Sequence, residues 1–131
     1  GSRLPARHHA SDTDKEYLFD MHGQAMFKLA SKLLPEFVGG LLESAGTAMS
    51  DIRLVVPHQG SAMAMKLLQR KLGIADRQLL NITADHGNTI AASIPMGLHE
   101  AIAQGRIARG DRVLLLGTSA GFSMGGIILD Y

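Results

Sequence analysis

The sequence predicts an α/β fold in which layered helices surround a mixed, mostly parallel sheet that ends in an antiparallel strand pair. Three observations carry this. Segments with four-residue apolar spacing alternate with short apolar runs bounded by turn formers, as expected of strands joined by crossover helices. Small residues at Ala91, Ala92, Ser93 and Gly97 place one helix in the middle of the layers, where neighbouring elements come close. The last two apolar runs are joined only through Gly117-Thr118-Ser119-Ala120-Gly121, too short for a crossover, so that pair must be antiparallel.

Taken in order, residues 1–18 are polar, mixed in charge and aperiodic, and read as a linker or arm preceding one domain over 19–131. His8 and His9 in that arm are expected to be solvated. From Met21 the positions Met21, Ala25, Leu29, Leu33, Phe37 and Leu41 recur every four residues, flanked by Met26, Ala30, Leu34 and Val38. So wide a stripe predicts a largely buried helix, bent at Pro35 and stopped near Gly46. Arg53 to Pro57 suits an internal parallel strand. Ser61 is placed to cap a second helix that Gly73 ends at about Leu72. Leu79-Leu80-Asn81-Ile82 is a weak strand candidate, followed by the polar loop Asp85-His86-Gly87-Asn88. A third helix is predicted from about Thr89 to Gln104, and strands over Asp111 to Leu116 and Phe122 to Tyr131.

Composition excludes several functions. With 131 residues, 46% hydrophobic and 19% charged, most of the chain is expected to fold, and no apolar run reaches the ~20 residues of a membrane span. A net charge of +1, with no tryptophan and few other aromatics, gives neither the field nor the stacking surfaces of a nucleic-acid binder. There is no cysteine, hence no disulfide, thiolate metal site or thiol nucleophile. No secretory signal is evident and no cofactor is called for, so a soluble cytoplasmic protein is expected.

His58 stands in Leu-Val-Val-Pro-His-Gln-Gly-Ser, at the carboxyl end of a predicted parallel strand, where open α/β sheets gather ligands. On its residues alone it is either a reactive group or a histidine satisfied by a backbone carbonyl. Asn88 occupies a similar place, as a ligand-facing amide or merely a helix N-cap. Gly117 to Gly121 matches G-x-S-x-G, but a strand follows it and no histidine lies downstream, so a serine-hydrolase elbow is not indicated. Its small residues suit backbone N–H donation to a substrate oxygen. His22, His86 and His99 lack metal-site spacing. Lys66, Arg70 and Lys71 form one basic helix face and Lys28 with Lys32 another, either solvated or facing an acidic ligand. Met26, Met63, Met65, Met96 and Met124 read as adaptable core packing.

Three segments in order, VVPHQGSAMAMKLLQRKLGI, DHGNTIAASIP with AIAQGRIARGDRVLLLG, and GTSAGFSMGGIILDY, resemble the C-terminal half of β-ketoacyl-acyl carrier protein synthase III, a thiolase-like condensing enzyme. FDMHGQAMFKLASKLLPE resembles the helix opening that half. The resemblance implies a Cys-His-Asn triad whose histidine falls on His58 and asparagine on Asn88, with the cysteine on an N-terminal half outside this sequence. It further implies decarboxylative Claisen condensation of acyl-CoA with malonyl-acyl carrier protein, with Nε2–H of His58 and the amide of Asn88 donating to the enolate oxygen. The oxyanion donor falls on the backbone of Ala120, the substrate pocket on Thr118, Ser119 and Phe122, and carrier docking on Lys28, Lys66, Arg70 and Lys71. A homodimer, inactivity of this half alone, and exposed apolar surface toward its counterpart follow as expectations. Departures are Ser61 for the usual asparagine, Met63 for an arginine often used in docking, and Thr118 for a frequent aromatic; the smaller turn suggests a roomier acyl pocket. The alternatives are a non-catalytic scaffold for carrier protein or a partner synthase, and simple acyl transfer with His58 as general base.

Overall fold

The computed structural model describes residues 22–119 and 122–131. The arm over 1–18, the start of the first helix at 19–21, and Ala120 with Gly121 lie outside the described residues. Helix α1, Gly23–Ser44, runs through Pro35 and ends where Gly46 takes a left-handed φ of +58°. Its burial is narrower than the apolar stripe predicts: Leu34 and Val38 are buried, whereas Leu29 is 40% exposed. The helix packs on one side against the second helix and the last strand. Its outer flank helps to form an open groove of Leu33, Glu36, Phe37, Gly40, Leu41, Ser44 and Met124.

A 3-10 turn at Met49–Asp51 leads into strand β1, Leu54–Pro57, which is buried throughout. The Asp51 carboxylate accepts the Ala48 N–H at 3.0 Å, and this bond holds its carboxyl below the ordinary range. Helix α2, Ala62–Leu72, follows as expected: the Ser61 hydroxyl accepts the Ala64 N–H at 3.1 Å, and Gly73 ends the helix at φ +63°. The weak strand candidate forms only a parallel bridge, Leu79 to Val55, with Leu80 N–H donating to Val55 O. A single helical turn α3, Thr83–His86, comes next. A 3-10 turn at Ile90–Ala92 then enters α4, Ser93–Ala103, so the predicted third helix begins later than Thr89. Pro95 is tolerated in α4 because first-turn N–H groups have no intrahelical acceptor.

Strands β2, Arg112–Ser119, and β3, Ser123–Asp130, complete a three-stranded sheet in the order β1-β2-β3. β1 and β2 are parallel, with Val55 beside Leu114; β2 and β3 are antiparallel, with Gly117 opposite Gly125. The sheet is therefore mixed, its parallel part being one ladder and one bridge. β1 ends the β1-β2-β3 order, but its other side is met by the parallel bridge to Leu79, so it is flanked on both sides, as expected of an internal strand. Its burial comes from the chain around Leu79 and from helices on both faces. Side-chain alternation sorts the core: Val55, Leu114 and Leu116 meet Leu34, Val38 and Met65 on one face, while Leu54, Val56 and Val113 meet Leu80, Ile82 and Ala101 on the other.

The middle-layer assignment of α4 rests on Gly97 and Ser93, which are buried, and not on Ala91 and Ala92, which are exposed. A Cβ at Gly97 would stand 2.9 Å from both Leu80 Cδ2 and Val56 Cγ1. Both neighbours are fully buried. Alanine would gain about 1 kcal/mol of helix propensity, yet overpacking of this kind costs about 1–3 kcal/mol. Gly97→Ala is therefore expected to lose up to about 2 kcal/mol in denaturant unfolding, and a stabilised variant would show that the layers yield there.

Candidate functional site

Parallel pairing places the carboxyl ends of β1 and β2 side by side, and the chain leaves both there. His58 extends the ladder by one residue, its N–H donating to Leu116 O at 2.7 Å. This sets the half-buried imidazole beside the strand end that carries Gly117, Thr118 and Ser119. Gly60 lies against the ring, where an added Cβ would meet Nε2 at 3.7 Å.

From the ring a chain of hydrogen bonds leads to Asn88. His58 Nδ1 lies 2.7 Å from Ser93 Oγ, and Ser93 Oγ donates to Ile90 O at 2.8 Å. Ile90 N–H in turn donates to Asn88 Oδ1 at 2.9 Å. The structure thus links His58 and Asn88 through two intervening residues. With Oδ1 occupied by its own loop, Asn88 has its Nδ2 donors to offer outward, and its side chain is exposed. Asn88 therefore closes an Asx turn and is not the N-cap of α4, whose N-cap is Ala92.

Ile90 sits in the middle of this chain with φ +53°, a conformation costly for a β-branched residue, and is 76% exposed. Backbone strain held beside two polar side chains is typical of a site that the surrounding fold over-determines. In the same loop the Thr89 hydroxyl is buried without a hydrogen-bond partner among the described residues.

Gln59 anchors the other side. It is fully buried, and its Nε2 donates to Pro57 O at 2.9 Å and Leu80 O at 3.2 Å, while its Oε1 accepts Ile82 N–H at 2.9 Å. One side chain thus ties the turn bearing His58 to the segment that leads, through α3, to Asn88. Nothing local distinguishes Gln59, Ser93 or Ile90 as site residues, because their partners lie elsewhere in the sequence or in the backbone. Only a polar glutamine directly after an apolar strand hints at a buried amide needing partners.

Residues 42–131 match the family described as 3-Oxoacyl-[acyl-carrier-protein (ACP)] synthase III C terminal. The chain belongs to this family. It is 39% identical over 131 residues to a beta-ketoacyl-acyl-carrier-protein synthase III of Thiobacillus denitrificans, covering 100% of this chain and 38% of that protein. The crystal structure of 3-oxoacyl-acyl-carrier-protein synthase III from Aquifex aeolicus is similar at a TM-score of 0.81 and 37% identity, over 86% of this chain and 36% of that one. The corresponding synthase from Pseudomonas aeruginosa gives 0.84 at 27% identity, over 100% and 39%. The likeness fixes the fold as that of the thiolase-like synthase III structures. This chain spans little more than a third of the length of the curated relatives it matches, 35–38%.

Against this synthase III C-terminal domain the other sequence-predicted positions can be placed. Thr118 is half-buried, Ser119 exposed, and Phe122 half-buried with a left-handed φ of +43° where the chain re-enters β3. The tip between them, with Ala120, lies outside the described residues. Lys66, Arg70 and Lys71 are exposed on α2 and Lys28 on α1; among the described residues none of them hydrogen-bonds to the His58 ring, so their role does not follow from the site geometry. Ser61 serves as the α2 cap, and Met63 is 70% exposed, a correction to the packing role expected of it, whereas Met65 does belong to the core. Among the described residues no three His, Asp or Glu side chains cluster as a metal site, and no helix is long and apolar enough to cross a membrane. The groove along α1 shares no residue with the His58–Asn88 chain.

Proposed function

We propose that this chain is the C-terminal half of a 3-oxoacyl-acyl carrier protein synthase III that carries out decarboxylative Claisen condensation of an acyl-CoA with malonyl-acyl carrier protein in fatty acid or polyketide synthesis. The observation that carries the proposal is the hydrogen-bond chain from His58 to Asn88 at the carboxyl ends of parallel strands, in a chain belonging to the synthase III family. We assign residues 1–18 to an arm and 19–131 to the domain, in a cytoplasmic, dimeric complete enzyme. The nucleophilic cysteine comes from the N-terminal half, since these residues contain none, and this half alone is inactive.

In the reaction the acyl group passes from coenzyme A to that cysteine. The bond between the malonyl α-carbon and its carboxylate then breaks, carbon dioxide leaves, and the electron pair moves into the thioester as an enolate. His58 Nε2 and Asn88 Nδ2 face the thioester oxygen and hold this charge. The enolate carbon attacks the acyl-cysteine carbonyl, the new carbon–carbon bond forms, and the cysteine thiolate departs. The backbone of Ala120 donates to the tetrahedral oxygen, Thr118, Ser119 and Phe122 bound the acyl chain, and Lys28, Lys66, Arg70 and Lys71 receive the acidic carrier protein.

One measurement tests this reading. The complete enzyme, both halves together, is expected to release carbon dioxide from malonyl-acyl carrier protein in step with 3-oxoacyl product, whereas this chain alone releases none. Acyl transfer to a hydroxyl or amine without carbon dioxide would instead establish His58 as a general base for simple acyl transfer, and no turnover by the complete enzyme would leave a scaffold.

A further inference from the structure

Proton counting at Ser93 places a proton on Nδ1 of His58. A serine hydroxyl owns one proton and two lone pairs. Ser93 Oγ makes two short contacts, 2.8 Å to Ile90 O and 2.7 Å to His58 Nδ1, and Ser93 is fully buried. The Ile90 carbonyl can only accept. If the serine proton pointed at Nδ1, two lone-pair oxygens would face each other at 2.8 Å with no hydrogen between them and no solvent to separate them. If it points at Ile90, the hydroxyl oxygen stays free to accept from Nδ1–H, and both contacts become hydrogen bonds. Ser93 N–H also donates to Ile90 O, so that carbonyl is not left bare in either arrangement. What decides between them is the oxygen–oxygen contact, held in place because Ile90 is pinned by Asn88 on one side and by Ser93 on the other.

We propose that Ser93 is a positioning residue that keeps the proton of the neutral His58 ring on Nδ1, so that Nε2 faces the site as a proton acceptor and becomes a donor only when the ring gains a second proton. This differs from a ring that already carries Nε2–H at rest, the form that the resemblance to the synthase III family implies. The inference rests on the condensation reading for its catalytic meaning. There, an Nε2 lone pair takes the proton of the cysteine thiol: the S–H bond breaks, the N–H bond forms, and a thiolate and an imidazolium result. If coenzyme A then leaves as its thiolate, the proton stays on the ring. Nε2–H is thereby available to the malonyl thioester oxygen while Nδ1–H remains on Ser93. One histidine then serves both half-reactions, and Ser93 sets the order in which its nitrogens are protonated.

The test reads the ring directly. The full chain is labelled with 15N-histidine, and ring nitrogen shifts are recorded by long-range proton–nitrogen correlation at a pH where the imidazole is neutral, with His58→Gln assigning the signal. The expected wild-type ring has a protonated, pyrrole-type Nδ1 and an unprotonated, pyridine-type Nε2. Ser93→Ala is expected to lose this preference and Ser93→Thr, which keeps the hydroxyl, to retain it. A wild-type ring protonated at Nε2, or an unchanged tautomer in a folded Ser93→Ala chain, overturns the proposal. The wild-type spectrum needs no variant, so it decides the question even if Ser93→Ala fails to fold. Because the readout is a tautomer and not turnover, a complete enzyme without condensing activity would refute the proposed function and leave this result standing.

Discussion

Replacing Asn88 by aspartate in the complete enzyme is expected to lower malonyl decarboxylation by at least about 10²–10³-fold while leaving the loop folded. The two expectations separate because the two ends of the amide have different partners. Asn88 Oδ1 accepts Ile90 N–H, and an aspartate oxygen can accept that bond unchanged. Nδ2 is the end available to substrate, and there aspartate substitutes an acceptor bearing negative charge for a donor. Loss of one donor to a developing oxyanion accounts for the stated factor, about 2.7–4 kcal/mol of transition-state stabilisation, and repulsion between the carboxylate and the enolate adds to it. Asn88→Ala removes both ends, so it mixes a loosened loop with a missing donor and is the less informative variant. The measurement is carbon dioxide release from malonyl-acyl carrier protein, set beside acyl-enzyme formation from acyl-CoA, which should fall far less. If Asn88→Asp decarboxylated at the wild-type rate, the side chain would serve only to close its turn, and the assignment of an enolate site would be wrong.

How much of this arrangement can be read from the chain depends on how far each determinant reaches. The cap at Ser61, the left-handed end at Gly73 and the antiparallel pairing across Gly117 to Gly121 follow from local stereochemistry, and all three are legible in the sequence. The existence of a polar site at the end of β1 is legible too, because strand polarity alone puts His58 there. The connections that organise the site are not. His58 meets Ser93 across 35 positions, and Gln59 meets Ile82 across 23. No periodicity encodes such a pairing: serine at the start of a helix and glutamine after a strand are compatible with many environments. The same holds for Ile90, whose residue type argues against the left-handed backbone it adopts. That tertiary contacts override preference at this loop agrees with strain being concentrated where function is. α1 errs in the opposite direction. Its apolar stripe is broad enough for burial on two sides, but the described residues cover only one, so periodicity gives the helix correctly and its exposure incorrectly.

Gln59→Leu is expected to cost the folded chain about 3–5 kcal/mol. Leucine is similar in size, so the loss is not one of volume. Gln59 is fully buried and satisfies Ile82 N–H, Pro57 O and Leu80 O at once, and leucine leaves all three without the partner they have. Each buried polar group left unpaired costs about 1–3 kcal/mol, and the total stays below the sum because the segment can shift to admit water to some of them. Gln59→Glu separates this from simple loss of shape. Its carboxylate can still accept Ile82 N–H but has no proton for the two carbonyls, and burying that charge against them should make it at least as damaging as leucine. Denaturant unfolding of the wild-type and variant chains gives the comparison through the midpoint at unchanged slope. A loss below about 1 kcal/mol for Gln59→Leu would mean that the bonds are not maintained in the folded chain, since that is the range of an ordinary exposed hydrogen bond. The consequence for the site follows from what the glutamine joins. Among the described residues the other polar links near this point are the Ser93 contact and the bridge beside Val55, so loosening Gln59 leaves the histidine and the asparagine freer to move relative to each other. Donors that must converge on one oxygen lose most of their electrostatic value when their separation fluctuates. A variant stable enough to isolate should therefore retain a folded ring environment at His58 and still make the complete enzyme slow in decarboxylation.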